Sequence, residues 1–299
     1  MIHSSRARRV LAPAAAALLC GALAACGADD SPAAGPGKPS AASAPSVKPT
    51  APTAPTAPAT PAAGSPAPTL PPGPGGAAPV FSHGTRDGGK RVALTFDADM
   101  TADQDKRAAR GARFDNPQLI ATLRRLKVPA TVFMTGKWAE QYPAQARSIG
   151  GDPLFEVANH SYAHHAFSTP CYKLPTVPLK GARADVERAF DAFRRAGVKN
   201  TVPYFRFPGG CHNDAVLRAI GPTKATAVQW DVVSGDAFAK QAGPVAETVL
   251  SQVKPGSVVV MHCTRSAAPV TEEAIRRIVP GLRAKGYEFV RVSDLIAGH

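Results

Sequence analysis

The stretch Val92-Ala-Leu-Thr-Phe-Asp-Ala-Asp-Met-Thr101 starts as an apolar run and then sets two carboxylates one alanine apart. A short continuous apolar run bounded by polar residues reads as a strand covered on both faces, the pattern of a parallel sheet. A carboxylate at such a place costs several kcal/mol unless a cation or hydrogen-bond donors offset it. Asp97 and Asp99 therefore require partners from elsewhere in the chain.

Outward from this stretch, short apolar runs alternate with longer amphipathic ones. Strands are expected at 92–96, 130–134, 155–158, 204–207, 225–230, 257–261 and 288–291, and helices at 117–126, 182–196, 215–220, 245–253 and 272–285. Pro117 at a helix start and Gly197 and Gly286 past helix ends fit the usual punctuation. The alternation predicts an α/β domain with a parallel sheet, doubly wound or closed as a barrel. Both architectures collect active sites at the carboxyl ends of the strands. Five polar clusters fall there: Asp97 with Asp99, Asn159 to His165, Arg206 to Gly210, Trp230 to Asp236, and His262.

His160 and His164 lie four apart, so one helical turn would aim both imidazoles at one point. With one carboxylate they make a two-histidine, one-aspartate donor set, which suits Zn2+ and also accepts Co2+, Fe2+ or Mn2+. One of Asp97 and Asp99 would hold the metal, and the other would act as general base toward a water attacking a carbonyl. His165 competes with His164 at a poorer spacing. Asp231 is expected to bond backbone near Trp230 or Arg206, and Trp230 to be core.

These motifs resemble the NodB-homology polysaccharide deacetylases, carbohydrate esterase family 4, from about Arg91 to Leu295. The resemblance implies a distorted (β/α) barrel and a metal-dependent deacetylase. The family's Thr-Phe-Asp-Asp-Gly is met by Thr95-Phe96-Asp97-Ala98-Asp99. Asp97 then takes the base role, and Asp99, one residue late, the metal role; a local bulge would absorb the offset. His160-Ser161-Tyr162-Ala163-His164 matches the second motif and implies two metal ligands. Arg206-Phe207-Pro208-Gly209-Gly210 matches the third, with Arg206 holding the base ionised and the Gly209 N–H facing the oxyanion. Tyr162 joins Gly209 as an expected oxyanion or substrate contact. Asp236 and His262 match the last two motifs: the histidine protonates the leaving amine and the aspartate orients and charges it. The family's aromatic after the proline is Gly209 here, and the tryptophan after its aspartate is Ala237.

The rest of the chain gives context. Arg6, Arg8 and Arg9 precede the apolar segment Val10–Ala22, too short for a comfortable membrane span, so 1–25 reads as an export signal, Sec or Tat undecided. Leu23-Ala24-Ala25-Cys26 resembles the lipobox of bacterial lipoproteins, which implies lipidation of Cys26. Residues 26–79, rich in Ala, Pro, Thr, Gly and Ser, read as a disordered linker, and 80–299 as the catalytic domain. The net charge is +13, and +10 remains without the three signal arginines. No nucleic-acid-binding signature accompanies it, so an anionic envelope is the expected partner. Cys171, Cys211 and Cys263 remain in the domain. The pairing Cys171–Cys211 is favoured over Cys211–Cys263 because it would clamp the 169–179 loop over the groove; free thiols are the alternative. The expected protein is thus a monomeric, lipid-anchored enzyme on the outer face of a bacterial cell membrane. It would remove N-acetyl groups from amino sugars, with peptidoglycan first among substrates. An O-acetyl esterase, or an inactive metal- or glycan-binding lipoprotein, stands as the alternative.

Overall fold

The computed structural model describes residues 66–299. The expected signal segment, the lipidation position Cys26 and most of the linker lie outside the described residues. Along the described chain the elements run β1 (Val80–Phe81), β2 (Arg91–Ala98), α1 (Asp105–Ala109), α2 (Pro117–Arg125), β3 (Ala130–Met134), α3 (Gly136–Gln141), α4 (Pro143–Gly150) and β4 (Phe155–Asn159). They continue through α5 (Ala182–Ala196), β5 (Thr201–Phe205), α6 (Asp214–Ile220), β6 (Thr226–Val228), β7 (Val232–Val233) and α7 (Ala242–Gln252). The last are β8 (Ser257–His262), α8 (Thr271–Ala284), β9 (Glu288–Val290) and α9 (Val292–Ile296).

The strands form one sheet in the order β1-β6-β5-β4-β3-β2-β8-β7, with β9 also on β2 and every ladder parallel. With helices packed around it, this sheet is the distorted (β/α) barrel expected of the NodB-homology type. The period of two along β2 explains how it sits. Val92, Leu94, Phe96 and Ala98 join a cluster with Leu119, Leu123, Trp138, Ile275 and Ile278 of the helices. Ala93 belongs instead to the barrel interior, with Phe133, Ala158, Tyr204, Val228 and Val258. Both faces are buried, and the buried polar residues of the strand, Thr95 and Asp97, fall on the interior face toward its carboxyl end.

α9 closes the interior at the amino ends of the strands. Its Val292, Leu295 and Ile296 enter the interior cluster, and its first two N–H groups, Val292 and Ser293, are accepted by Thr131 Oγ1 and Glu156 Oε1 at 3.0 and 3.1 Å. The opposite, carboxyl end of the barrel remains for chemistry.

Two of the differences from the expected boundaries change how the chain is read. Residues 66–79 pack on the barrel: Ala67 and Leu70 lie against the interior cluster, Tyr204 Oη donates to Pro68 O at 2.7 Å, and Leu70 N donates to Thr226 Oγ1 at 3.3 Å. The folded part therefore starts before residue 80, because even a proline-rich segment orders when its few apolar side chains find a surface. The strand expected at 204–207 instead spans Thr201–Phe205, which leaves Arg206 at the turn beyond its end.

Candidate active site

Asp97, on the interior face of β2, is 4% exposed. Its Oδ1 accepts from Arg206 Nη1 at 2.7 Å, and its Oδ2 lies 3.6 Å from His160 Nε2. Burial alone would raise the carboxyl pKa, but the Arg206 charge, with smaller contributions from His160 and His262, holds it below the ordinary carboxylate value. Arg206 is itself fully buried and anchored. It also donates to Thr95 Oγ1 at 2.9 Å and to the carbonyls of Val228 and Gln229 at 3.3 and 3.4 Å. Its guanidinium stands 3.8 Å from the Phe133 ring centroid.

The alanine between the two acids needs no bulge. β2 stays in unbroken register with β3 over Thr95–Ala98 and with β8 over Val92–Asp97. A spacing of two carries consecutive odd positions toward the same face, so Asp99, one residue past the strand, arrives beside Asp97. The Thr264 hydroxyl donates to Asp99 Oδ1 and accepts the Asp99 N–H at 3.2 Å. Asp99 Oδ2 lies 4.0 Å from His164 Nε2. Burial opposes ionisation of Asp99, yet His164, His262 and the Thr264 bond leave its pKa lowered.

The two histidines meet by a turn rather than by the expected helical turn. Asn159 Oδ1 accepts the Ser161 N–H and Ser161 Oγ accepts the His164 N–H, both at 2.9 Å. Ser161 and His164 have φ of 71° and 54°, and the imidazole centroids come within 4.9 Å. His160 Nδ1 lies 2.9 Å from the Arg206 carbonyl; donation there leaves Nε2 as the free lone pair. Burial lowers the pKa of both imidazoles, that of His164 to about 4, so both are neutral at pH 7.

On the neighbouring strand, His262 is the register partner of Asp97. Its Nδ1 bonds Asp236 Oδ1 at 2.8 Å, which leaves Nε2 to face a substrate. Asp236 also accepts from the His262 N–H at 2.7 Å, Thr271 Oγ1 at 2.7 Å and Ser234 Oγ at 3.0 Å. Burial would lower the imidazole pKa, but the Asp236 bond and charge, with Asp97 and Asp99 adding to them, raise it to about 9.

By donor type, His160, His164 and Asp99 suit a divalent cation. Two neutral imidazoles and an ionised carboxylate are the forms that bind metal, and one imidazole is already oriented through its other nitrogen. Among the described residues no group of three His, Cys, Asp or Glu donors closes around one point, so the fit rests on chemistry and second-partner bonding.

The remaining expected residues fall into two groups. Gly209 lies in this region with φ 64°, and a Cβ there would stand 2.7 Å from Cys171 Sγ and 3.0 Å from Tyr172 Cδ2. Cys171 and Cys211 form a disulfide with Cα atoms 6.0 Å apart. Cys263 is a buried free thiol whose pKa burial pushes up to about 12. Tyr162, by contrast, is directed away from this cluster. Its side chain turns out to the helices, where Oη donates to Glu140 at 2.8 Å and Arg188 stacks 3.5 Å above the ring. Asp231 binds Arg86, Ser257 and the Val258 N–H, each at 2.8 Å, rather than backbone near Trp230. Sequence reasoning missed Thr95, Ser234, Thr264 and Thr271. Thr95 and Ser234 stand two residues before an acid in stretches already singled out and were given no role, whereas Thr264 and Thr271 are brought in by tertiary structure with no spacing that announces them.

Comparison with known proteins agrees with this geometry. A family model described as polysaccharide deacetylase matches residues 84–228. A chitooligosaccharide deacetylase from Sinorhizobium fredii is 29% identical over 185 residues, covering 57% of this chain and 80% of that protein. A peptidoglycan-N-acetylglucosamine deacetylase from Bacillus cereus is also 29% identical over 185 residues, covering 60% of this chain and 81% of that protein. The solved structure of a CE4 family pseudoenzyme from Bacillus anthracis shares the fold, with a TM-score of 0.59 at 24% identity over 73% of this chain and 69% of that one.

Proposed function

We infer that this chain, whose residues 84–228 carry the polysaccharide deacetylase match, hydrolyses N-acetyl groups on the amino sugars of a polysaccharide, with peptidoglycan first among substrates. One observation carries the reading. Asp97 and His262 are register partners on adjacent strands, one held ionised by Arg206 and the other held protonated by Asp236. A base and an acid with separated pKa values at one strand end are what amide hydrolysis requires.

Asp97 accepts a proton from the attacking water as the water oxygen bonds the acetyl carbon. The C–N bond then breaks, the His262 Nε2 proton passes to the amine nitrogen, and acetate and a free amine leave. Arg206 keeps Asp97 deprotonated and aimed. Asp236 fixes the His262 tautomer and stabilises its charge. Gly209 supplies a backbone N–H for the developing oxyanion. Asp99, His160 and His164 would hold the divalent cation, Zn2+ first and Co2+, Fe2+ or Mn2+ next, which supplies Lewis acidity to the carbonyl and lowers the pKa of water.

The lipobox-like Cys26 supports a lipid anchor on the outer face of a bacterial cell membrane, and the net charge of +13 suits an anionic envelope. The domain acts as a monomer in this reading. Acetate release from N-acetylated and O-acetylated oligosaccharides, with and without chelator, tests the whole. Chelator-sensitive release from the N-acetylated series is expected. Preference for O-acetyl esters would make it an esterase of the same machinery. No release from either would favour the inactive reading, which the displaced second acid and Ala237 in place of a tryptophan motivate.

A further inference from the structure

Two large aromatic side chains stand out in solvent. Tyr172 and Phe238 are each 82% exposed, the most exposed large apolar side chains among the described residues. Leaving such a side chain in water forgoes the gain of its burial. Both also hold the left-handed backbone region, with φ of 44° and 62°, which disfavours a bulky residue. The isolated fold recovers neither cost.

Their positions supply a reason. Tyr172 follows the disulfide cysteine Cys171 and lies against Gly209, beyond the end of β5. The turn that carries it is closed by Leu174 N donating to Cys171 O at 2.8 Å. Phe238 follows Asp236 by two residues, and its N–H donates at 2.7 Å to Ala267 O, in the segment after His262. In the strand order, β4 and β5 lie on one side of the β2 end that bears Asp97 and Asp99, and β8 and β7 on the other. One fixed aromatic thus stands on each side of the reacting centre.

We propose that Tyr172 and Phe238 are stacking platforms for pyranose rings of an amino-sugar chain, which they hold on either side of the acetamide being cut. The proposal deepens the deacetylase reading and rests on it for the choice of sugar. The C–H face of a pyranose is a flat apolar surface rimmed by hydroxyls, and a single exposed ring on a rigid turn matches it. A protein partner would call for a continuous apolar patch, whereas these two rings sit on separate loops. The tyrosine also fills the space that Gly209 leaves, so the groove wall comes from the disulfide loop rather than from the third motif.

The test uses N-acetylglucosamine oligomers of two to six rings with the wild-type protein, Tyr172→Ala, Phe238→Ala and the aromatic exchanges Tyr172→Phe and Phe238→Tyr. Binding is read by calorimetry and turnover by acetate release. Each alanine variant should weaken hexamer binding and raise KM roughly three- to tenfold, the scale of one aromatic contact. The loss should shrink toward the dimer, and the aromatic exchanges should restore it. Hexamer binding equal to wild type in both alanine variants, or an equal loss for dimer and hexamer, overturns the platforms. Aromatic-dependent hexamer binding without acetate release would sustain the platforms and sink the deacetylase reading. Absence of hexamer binding by the wild type sinks the platforms for this polymer.

Discussion

At the scale of the residue, the two acids on β2 differ by what holds them. Asp97 is tied to a guanidinium and Asp99 to a hydroxyl and an imidazole. Asp97→Asn should keep the cation and lose about 10²–10⁴ in rate, the contribution of one general base; metal analysis beside kinetics decides, and a metal-free variant would reverse the two roles. Asp99→Ala should lose tight zinc with the fold intact, as read by metal content and circular dichroism. His262, with its pKa raised to about 9, sets a pH limit. Activity should fall as pH rises through about 9, and in Asp236→Asn that limb should move down toward the ordinary imidazole value. The sign for stability follows from a folded pKa above the unfolded one. The His262–Asp236 pair stabilises fully below about pH 6.5, and this stabilisation is lost as pH rises through about 9. A chemical-denaturation series from pH 6 to 10 measures it.

At the scale of the element, legibility followed period and punctuation. α5 falls at Ala182–Ala196 and β3 at Ala130–Met134, the spans expected, because long apolar periodicity and glycine stops are local signals. β7 has two residues and β1 two; strands that short exist only because a neighbour lends them a ladder. The 160–164 turn was legible as a ligand spacing but not as a shape, since its geometry comes from Asn159 and Ser161 side chains. The acids, histidines and arginine of the site could be read because each sits at a strand end. Thr264 and Thr271, which reach Asp99 and Asp236 from elsewhere in the chain, could not. The strap 66–79 belongs to this scale too. A chain starting at Val80 loses the Ala67 and Leu70 contacts and the bonds to Tyr204 and Thr226. Its melting point should drop by several degrees against one starting at Pro66, about 2–4 °C per kcal/mol for a domain of this size. Equal melting curves would mean that the strap adds nothing.

At the scale of the whole molecule, the catalytic groups and the rim depend on different things. Asp97, Arg206, Asp236 and His262 are held by buried hydrogen bonds within the barrel. Tyr172 is placed by the bond between Cys171 and Cys211. Reduction of the folded protein should therefore raise KM for long oligosaccharides much more than for a dimer, as initial rates with and without a thiol reductant would show. Losses equal for both lengths would tie the bond to the catalytic centre instead. This separation gives the molecule a built-in latency. With the bond reduced, the buried base and acid would keep their hydrogen bonds while the Tyr172 rim would lose its pin. Oxidation of the two thiols would therefore complete the grip on a polymer without altering the buried base and acid.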